Sequence, residues 1–137
     1  MSVLKKVKDE KPFLVAVYGS LRKGLGNHRV LGTDSELLGE IKTKPEFKLY
    51  DLGYYPGLKK DGDTSVTMEV YRVTPSTLMS VNRLEGYEEG REASFYDREV
   101  IPTEFGDAYT YIYVPRVNPE NEVKTGDWKP YYESKFE

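Results

Sequence analysis

The chain has 137 residues, no cysteine, one histidine and a net charge of −3. That inventory excludes disulfides, thiolate nucleophiles and cysteine-ligated metal centres, leaves any Ser–His–Asp triad only His28 to use, and offers no global basic field for nucleic acid or an anionic membrane. Thirteen Val, twelve Tyr, nine Thr and five Phe against three Ala suit a pleated, half-buried surface better than a helical bundle, so a β-rich fold is expected.

Taken in order, residues 1–11 read as a charged, flexible N-terminal arm ahead of one domain over 12–137. Its charges fall where a secretion signal would carry an apolar run, so the cytoplasm is the expected compartment. No stretch reaches the 18 apolar residues of a membrane span. Phe13–Tyr18 is a continuous apolar run, the pattern of a central strand buried on both faces. It leads into a loop with Gly19, Gly24 and Gly26, then a short helix over Asn27–Leu31. Glu36–Ile41 and Phe47–Leu52 read as short strands. Gly53–Gly57, with Tyr54-Tyr55-Pro56, reads as an aromatic loop, and Asp61-Gly62 as a tight turn. Thr64–Val73 alternates, with Val66, Met68 and Val70 on one face.

A helix is predicted from Thr74 to about Glu85. Thr74 is the N-cap, Pro75 the first helical residue, Leu78, Val81 and Leu84 the apolar stripe, and Gly86 the stop. Ser94–Thr103 and Ala108–Val114 read as strands of a hairpin turning at Gly106-Asp107. Tyr109, Tyr111 and Tyr113 then share one face. The tail from Pro115 reads as irregular, with Trp128 folding back onto the domain.

The loop Tyr18–His28 fits neither a P-loop nor the GxGxxG spacing. Its glycines serve either a tight turn or a loop whose backbone N–H groups face an anion. Glu85, at the negative end of a helix, is either an exposed residue of a fraying turn or, if buried, a carboxyl raised toward the range of a general base. Glu88, Glu89 and Glu92 read as a solvated acidic loop. His28 reads as a structural hydrogen-bonding residue, and Arg98 as a salt-bridge partner or a carboxylate anchor.

Several segments in chain order resemble the γ-glutamylcyclotransferase-like (AIG2-like) family. These are Val17-Tyr-Gly-Ser-Leu-Arg22 with Asn27-His28, Tyr50-Asp-Leu-Gly-Tyr-Tyr-Pro-Gly57 and Glu69-Val-Tyr-Arg-Val73. Leu84-Glu-Gly-Tyr87, Tyr96-Asp-Arg98 and Gly126-Asp-Trp128 follow. The resemblance covers about residues 13–130. It implies an α+β fold: a mixed, mostly antiparallel, barrel-like sheet with a few flanking helices and a cavity at its mouth. It implies an enzyme that cyclises the γ-glutamyl group of a small γ-glutamyl amine or amino acid to 5-oxoproline, with no cofactor and no metal. Carried onto this chain, it makes Glu85 the catalytic carboxylate. It also makes Tyr18, Gly19, Ser20, Leu21 and Tyr113 the substrate-binding residues. One position departs from the pattern, since Asn82 stands where the family often has Asp. The expected partner is a small γ-glutamyl substrate, with no nucleic acid and no membrane, on a monomer or weak dimer. The rival readings are a non-catalytic carboxylate- or amine-binding module, a nucleotide or phosphate binder using the Gly19–Gly26 loop, and an interaction domain using exposed tyrosines.

Overall fold

The computed structural model describes residues 13–87 and 95–135. The expected arm over 1–11, the acidic loop with Glu88, Glu89 and Glu92, and the expected strand start at Ser94 lie outside the described residues. Among the described residues seven strands form, β1 (Phe13–Val17), β2 (Glu36–Lys42), β3 (Phe47–Asp51), β4 (Pro56–Lys60), β5 (Thr67–Val73), β6 (Tyr96–Thr103) and β7 (Gly106–Tyr113). Five make a curved sheet in the order β2-β5-β1-β7-β6, and β3 and β4 make a two-stranded ribbon. The sheet is mixed and mostly antiparallel, the β1–β7 pair being parallel.

The apolar run of β1 sits at the centre of that order, as predicted. Ala16 joins Leu49, Leu58, Met68, Val70 and Trp128 in one core. Val15 and Val17 join Leu31, Tyr71, Val81 and Tyr111 in a second. A strand with a core on each face cannot alternate apolar and polar residues, which explains the unbroken sequence.

Helix α1 (Pro75–Leu84) begins as its sequence dictates, with Thr74 Oγ1 accepting from the Thr77 N–H at 3.1 Å. Leu78 and Val81 are buried, but Leu84 is 41% exposed, so the third member of the stripe faces away from the core. Gly86 ends the helix at φ 70°, a left-handed conformation that costs glycine least.

Three elements differ from the sequence reading. Pro56 and Gly57 open β4 rather than closing an aromatic loop. A Cβ on Gly57 would come within 2.9 Å of the Tyr113 side chain, so this glycine serves packing within a strand. The β6–β7 hairpin turns at Glu104-Phe105, because Gly106 already pairs with Thr103. The tail is also not irregular throughout. It forms α2 (Trp128–Ser134), in which Trp128 is fully buried and its ring lies 5.5 Å from that of Tyr131 and 5.3 Å from that of Tyr132. Tyr131 and Lys135 both bind Asp51 Oδ2, at 2.7 and 2.9 Å, and tie the helix to β3. Among the described residues no helix is long and apolar enough to cross a membrane.

Candidate active site

A cavity of about 380 Å³ opens where β1 gives way to its glycine loop. Tyr18, Gly19, Ser20, Leu21, Glu85 and Tyr113, six residues dispersed over 96 positions of sequence, all line it. The lining also includes Asn27, Tyr55, Pro56, Tyr96 and Tyr111.

The loop has a definite electrostatic sense. The carbonyl of Gly19 accepts from the Arg22 N–H at 2.9 Å, that of Ser20 from the Asn27 N–H at 2.9 Å, and that of Arg22 from the Leu25 N–H at 3.0 Å. The Leu21 carbonyl lies 2.9 Å from His28 Nδ1. A carbonyl can only accept, so Nδ1 carries the proton. Each carbonyl from Gly19 to Arg22 is thus occupied. Among the described residues, by contrast, no protein acceptor takes the N–H of Gly19, Ser20 or Leu21. Backbone with filled acceptors and open donors favours an anion.

Two features hold this loop. A Cβ on Gly19 would lie 2.5 Å from Pro56 Cδ, so glycine is required there by close approach to β4. Behind the loop, the Arg22 side chain is 4% exposed. It donates to Glu69 Oε2 at 3.0 Å and to Asp127 Oδ1 at 2.6 Å. Glu69 Oε1 accepts from the Lys23 N–H and from the Tyr71 hydroxyl, each at 2.8 Å. Burial opposes the Glu69 charge, yet these donors together hold its carboxyl below the ordinary value. The Gly126-Asp-Trp128 segment thereby acquires physical roles. Gly126 takes φ 71° with Ser65 O against it, Asp127 clamps Arg22, and Trp128 fills the core.

Glu85 caps the end of α1, where its N–H donates to the Val81 carbonyl at 3.0 Å. Its half-buried side chain makes no hydrogen bond or ion pair among the described residues. Burial pushes the carboxyl from 4.5 up to about 7. An uncompensated carboxyl in a cavity is the arrangement that raises a pKa to the range of a base working at neutral pH.

The surrounding phenols form fixed walls. Tyr18 donates to the Tyr111 carbonyl at 2.7 Å, Tyr96 to the Pro56 carbonyl at 3.0 Å, and Tyr111 to Asn82 Oδ1. Burial first, and the Glu85 charge in addition, push all three phenols up, so they stay neutral. Asn82 therefore has a clear contact, orienting Tyr111 from outside the cavity. The rings of Tyr113 and Tyr96 meet edge to face at a centroid distance of 5.2 Å.

Two sequence candidates fall elsewhere. His28 serves the loop from behind and is absent from the lining, in accord with a structural role. Arg98 is absent from the cavity lining. Its guanidinium lies over the rings of Tyr109 and Tyr87, 4.1 and 4.8 Å from their centroids. Sequence reasoning missed Asn27, Tyr55 and Tyr96 as cavity residues. The available signal was their place inside the recurring segments, since neither spacing nor periodicity links them. Among the described residues no cluster of three or more His, Asp or Glu is placed to hold a metal ion.

Residues 15–130 match the family model described as gamma-glutamyl cyclotransferase, AIG2-like. A Vibrio cholerae protein that bears a gamma-glutamylcyclotransferase name provisionally is 45% identical over 115 residues, covering 84% of this chain and 94% of that protein. The Escherichia coli gamma-glutamylcyclotransferase family protein YtfP is 37% identical over 114 residues, covering 83% of this chain and 94% of that protein. The crystal structure of an uncharacterized protein from Pyrococcus horikoshii superposes with a TM-score of 0.74 at 28% identity, over 90% of this chain and 96% of that one.

Proposed function

The chain belongs to the gamma-glutamyl cyclotransferase, AIG2-like family, and on that footing we propose that it cyclises the γ-glutamyl group of a small γ-glutamyl amine or amino acid to 5-oxoproline, releasing the amine. One observation carries the reading. A carboxyl held near pKa 7 shares its cavity with a loop whose carbonyls are occupied and whose N–H groups are open.

The reaction needs little from the protein, because the nucleophile arrives with the substrate. The Glu85 carboxylate takes a proton from the substrate's α-ammonium group. The freed amine attacks the γ-carbonyl carbon, a carbon–nitrogen bond forms, and the carbonyl oxygen becomes an oxyanion. The intermediate collapses, the γ-amide bond breaks as the protonated Glu85 returns its proton to the leaving nitrogen, and the second proton of the attacking nitrogen passes to the released amine, which departs as an ammonium ion beside a neutral lactam. One amide is exchanged for a lactam, with no water consumed.

A base of pKa near 7 suits both halves of this shuttle, since it is partly ionised before the first step and acidic enough for the last. The N–H groups of Gly19, Ser20 and Leu21 receive the substrate carboxylate or the developing oxyanion. Tyr18 and Tyr113 wall the bent substrate. Holding amine and carbonyl together is worth up to about 7–11 kcal/mol in favourable intramolecular cases, so the reaction asks no side chain to act as nucleophile.

The test is release of 5-oxoproline from a panel of γ-glutamyl dipeptides and γ-glutamyl amines by the wild type and by folded Glu85→Gln. Loss of about 10²–10⁴-fold in turnover is expected for removal of a general base. A variant as active as the wild type would overturn the assignment.

A further inference from the structure

The cyclotransferase reading uses the backbone of Ser20 but gives no task to its hydroxyl or to Asn27, although both residues line the cavity. Asn27 grips Ser20 twice. Its main-chain N–H donates to the Ser20 carbonyl at 2.9 Å, and its side-chain Nδ2 donates to Ser20 Oγ at 2.9 Å. The first bond fixes the peptide plane that carries the Leu21 N–H, because the two groups belong to one rigid amide. The second fixes the role of the hydroxyl. An oxygen that accepts from an amide N–H directs its own proton elsewhere. Among the described residues, no protein acceptor takes that proton.

The chemistry of the lining gives this proton a use. Among the described residues the lining holds no lysine, arginine or histidine, so an anionic group there is met by neutral donors. A carboxylate offers about four lone-pair sites, one more than the three open N–H groups can fill. Deepening the cyclotransferase reading, and resting on it, we propose that Asn27 is a positioning residue. It turns the Ser20 hydroxyl into the cavity as a fourth donor to the anionic oxygens of the substrate.

The test is a double-mutant cycle read by calorimetric binding of 5-oxoproline, the carboxylate product, with kcat/KM measured on the same proteins. Ser20→Ala and Asn27→Ala each weaken binding about 10- to 100-fold, the range for a hydrogen bond to a charged group. The double variant is no weaker than Ser20→Ala alone, because Asn27 acts through the hydroxyl. Asn27→Asp keeps the shape but presents an acceptor, captures the hydroxyl proton, and weakens binding at least as much. If Asn27→Ala does not fold, the pair Ser20→Ala and Asn27→Asp decides the matter.

Losses that multiply in the double variant, Asn27→Asp at wild-type affinity, or no binding of 5-oxoproline by the wild type would each overturn the proposal. The expected cycle in a protein that releases 5-oxoproline from no γ-glutamyl compound would refute the cyclotransferase reading and leave the donor assignment standing.

Discussion

Burial of Glu85 has a consequence for stability that can be measured without any substrate. Moving a glutamate carboxyl from 4.5 to about 7 corresponds to up to about 3 kcal/mol, at about 1.36 kcal/mol per pH unit. The folded chain keeps the Glu85 proton at pH values where the unfolded chain has lost it. Between pH 4.5 and 7 the folded state therefore binds more protons, and stability falls as pH rises through that window. Glu85→Gln removes the titration and keeps the shape. The stability of the variant relative to the wild type should thus grow by up to about 3 kcal/mol between pH 4 and pH 8. Urea unfolding of both proteins across that range reads the difference, and every carboxyl that behaves alike in the two proteins cancels. A gap that stays constant with pH would refute the reasoning, because it would mean that the Glu85 carboxyl titrates alike in the folded and unfolded chains.

Further predictions concern the scaffold. Glu69→Gln leaves the buried Arg22 guanidinium short of a charge partner and should cost about 3–5 kcal/mol in urea unfolding; a loss under about 1 kcal/mol would mean that Asp127 suffices. Gly19→Ala forces a Cβ to within 2.5 Å of Pro56 Cδ. It should cost about 1–3 kcal/mol and lower kcat/KM as the loop shifts, whereas unchanged kinetics would separate the loop from catalysis. Trp128→Ala should cost about 3–5 kcal/mol by opening a cavity in the core, measured in the same way; a loss below about 1 kcal/mol would show that the tail does not hold the domain together.

The parts of the fold legible in the sequence are those whose signal is local. The unbroken apolar run of β1 follows from a core on each face, and α1 is written by Thr74, Pro75, two buried stripe residues and Gly86. Strand β4 was hidden because its distinguishing residues are justified by distant neighbours, Gly57 by Tyr113 and Pro56 by Gly19. Helix α2 carried a readable signal in the i, i+3, i+4 spacing of Trp128, Tyr131 and Tyr132, masked by Pro130. That proline falls in the first turn, where a missing N–H has little cost.

The site divides in the same way. Glu85 and the Tyr18–Leu21 loop stand out through their place in recurring segments. Asn27, Tyr55 and Tyr96 become cavity residues only when strands far apart in sequence close around one space. Arg98 shows the converse, since a charged residue on a strand next to the site is occupied by two aromatic rings. One of those rings, Tyr109, is set by register across β6 and β7 and the other, Tyr87, by the turn that follows α1, and spacing alone reveals neither.

The central claim is that Glu85 moves the proton in an intramolecular cyclisation, and the pH dependence of kcat/KM for 5-oxoproline release tests it most directly. The wild type should gain activity as pH rises, with a rising limb of unit slope bending near pH 7. Folded Glu85→Gln should show only a residual rate without that limb. A wild-type profile flat from pH 5.5 to 8, or the same limb surviving in Glu85→Gln, would contradict the account.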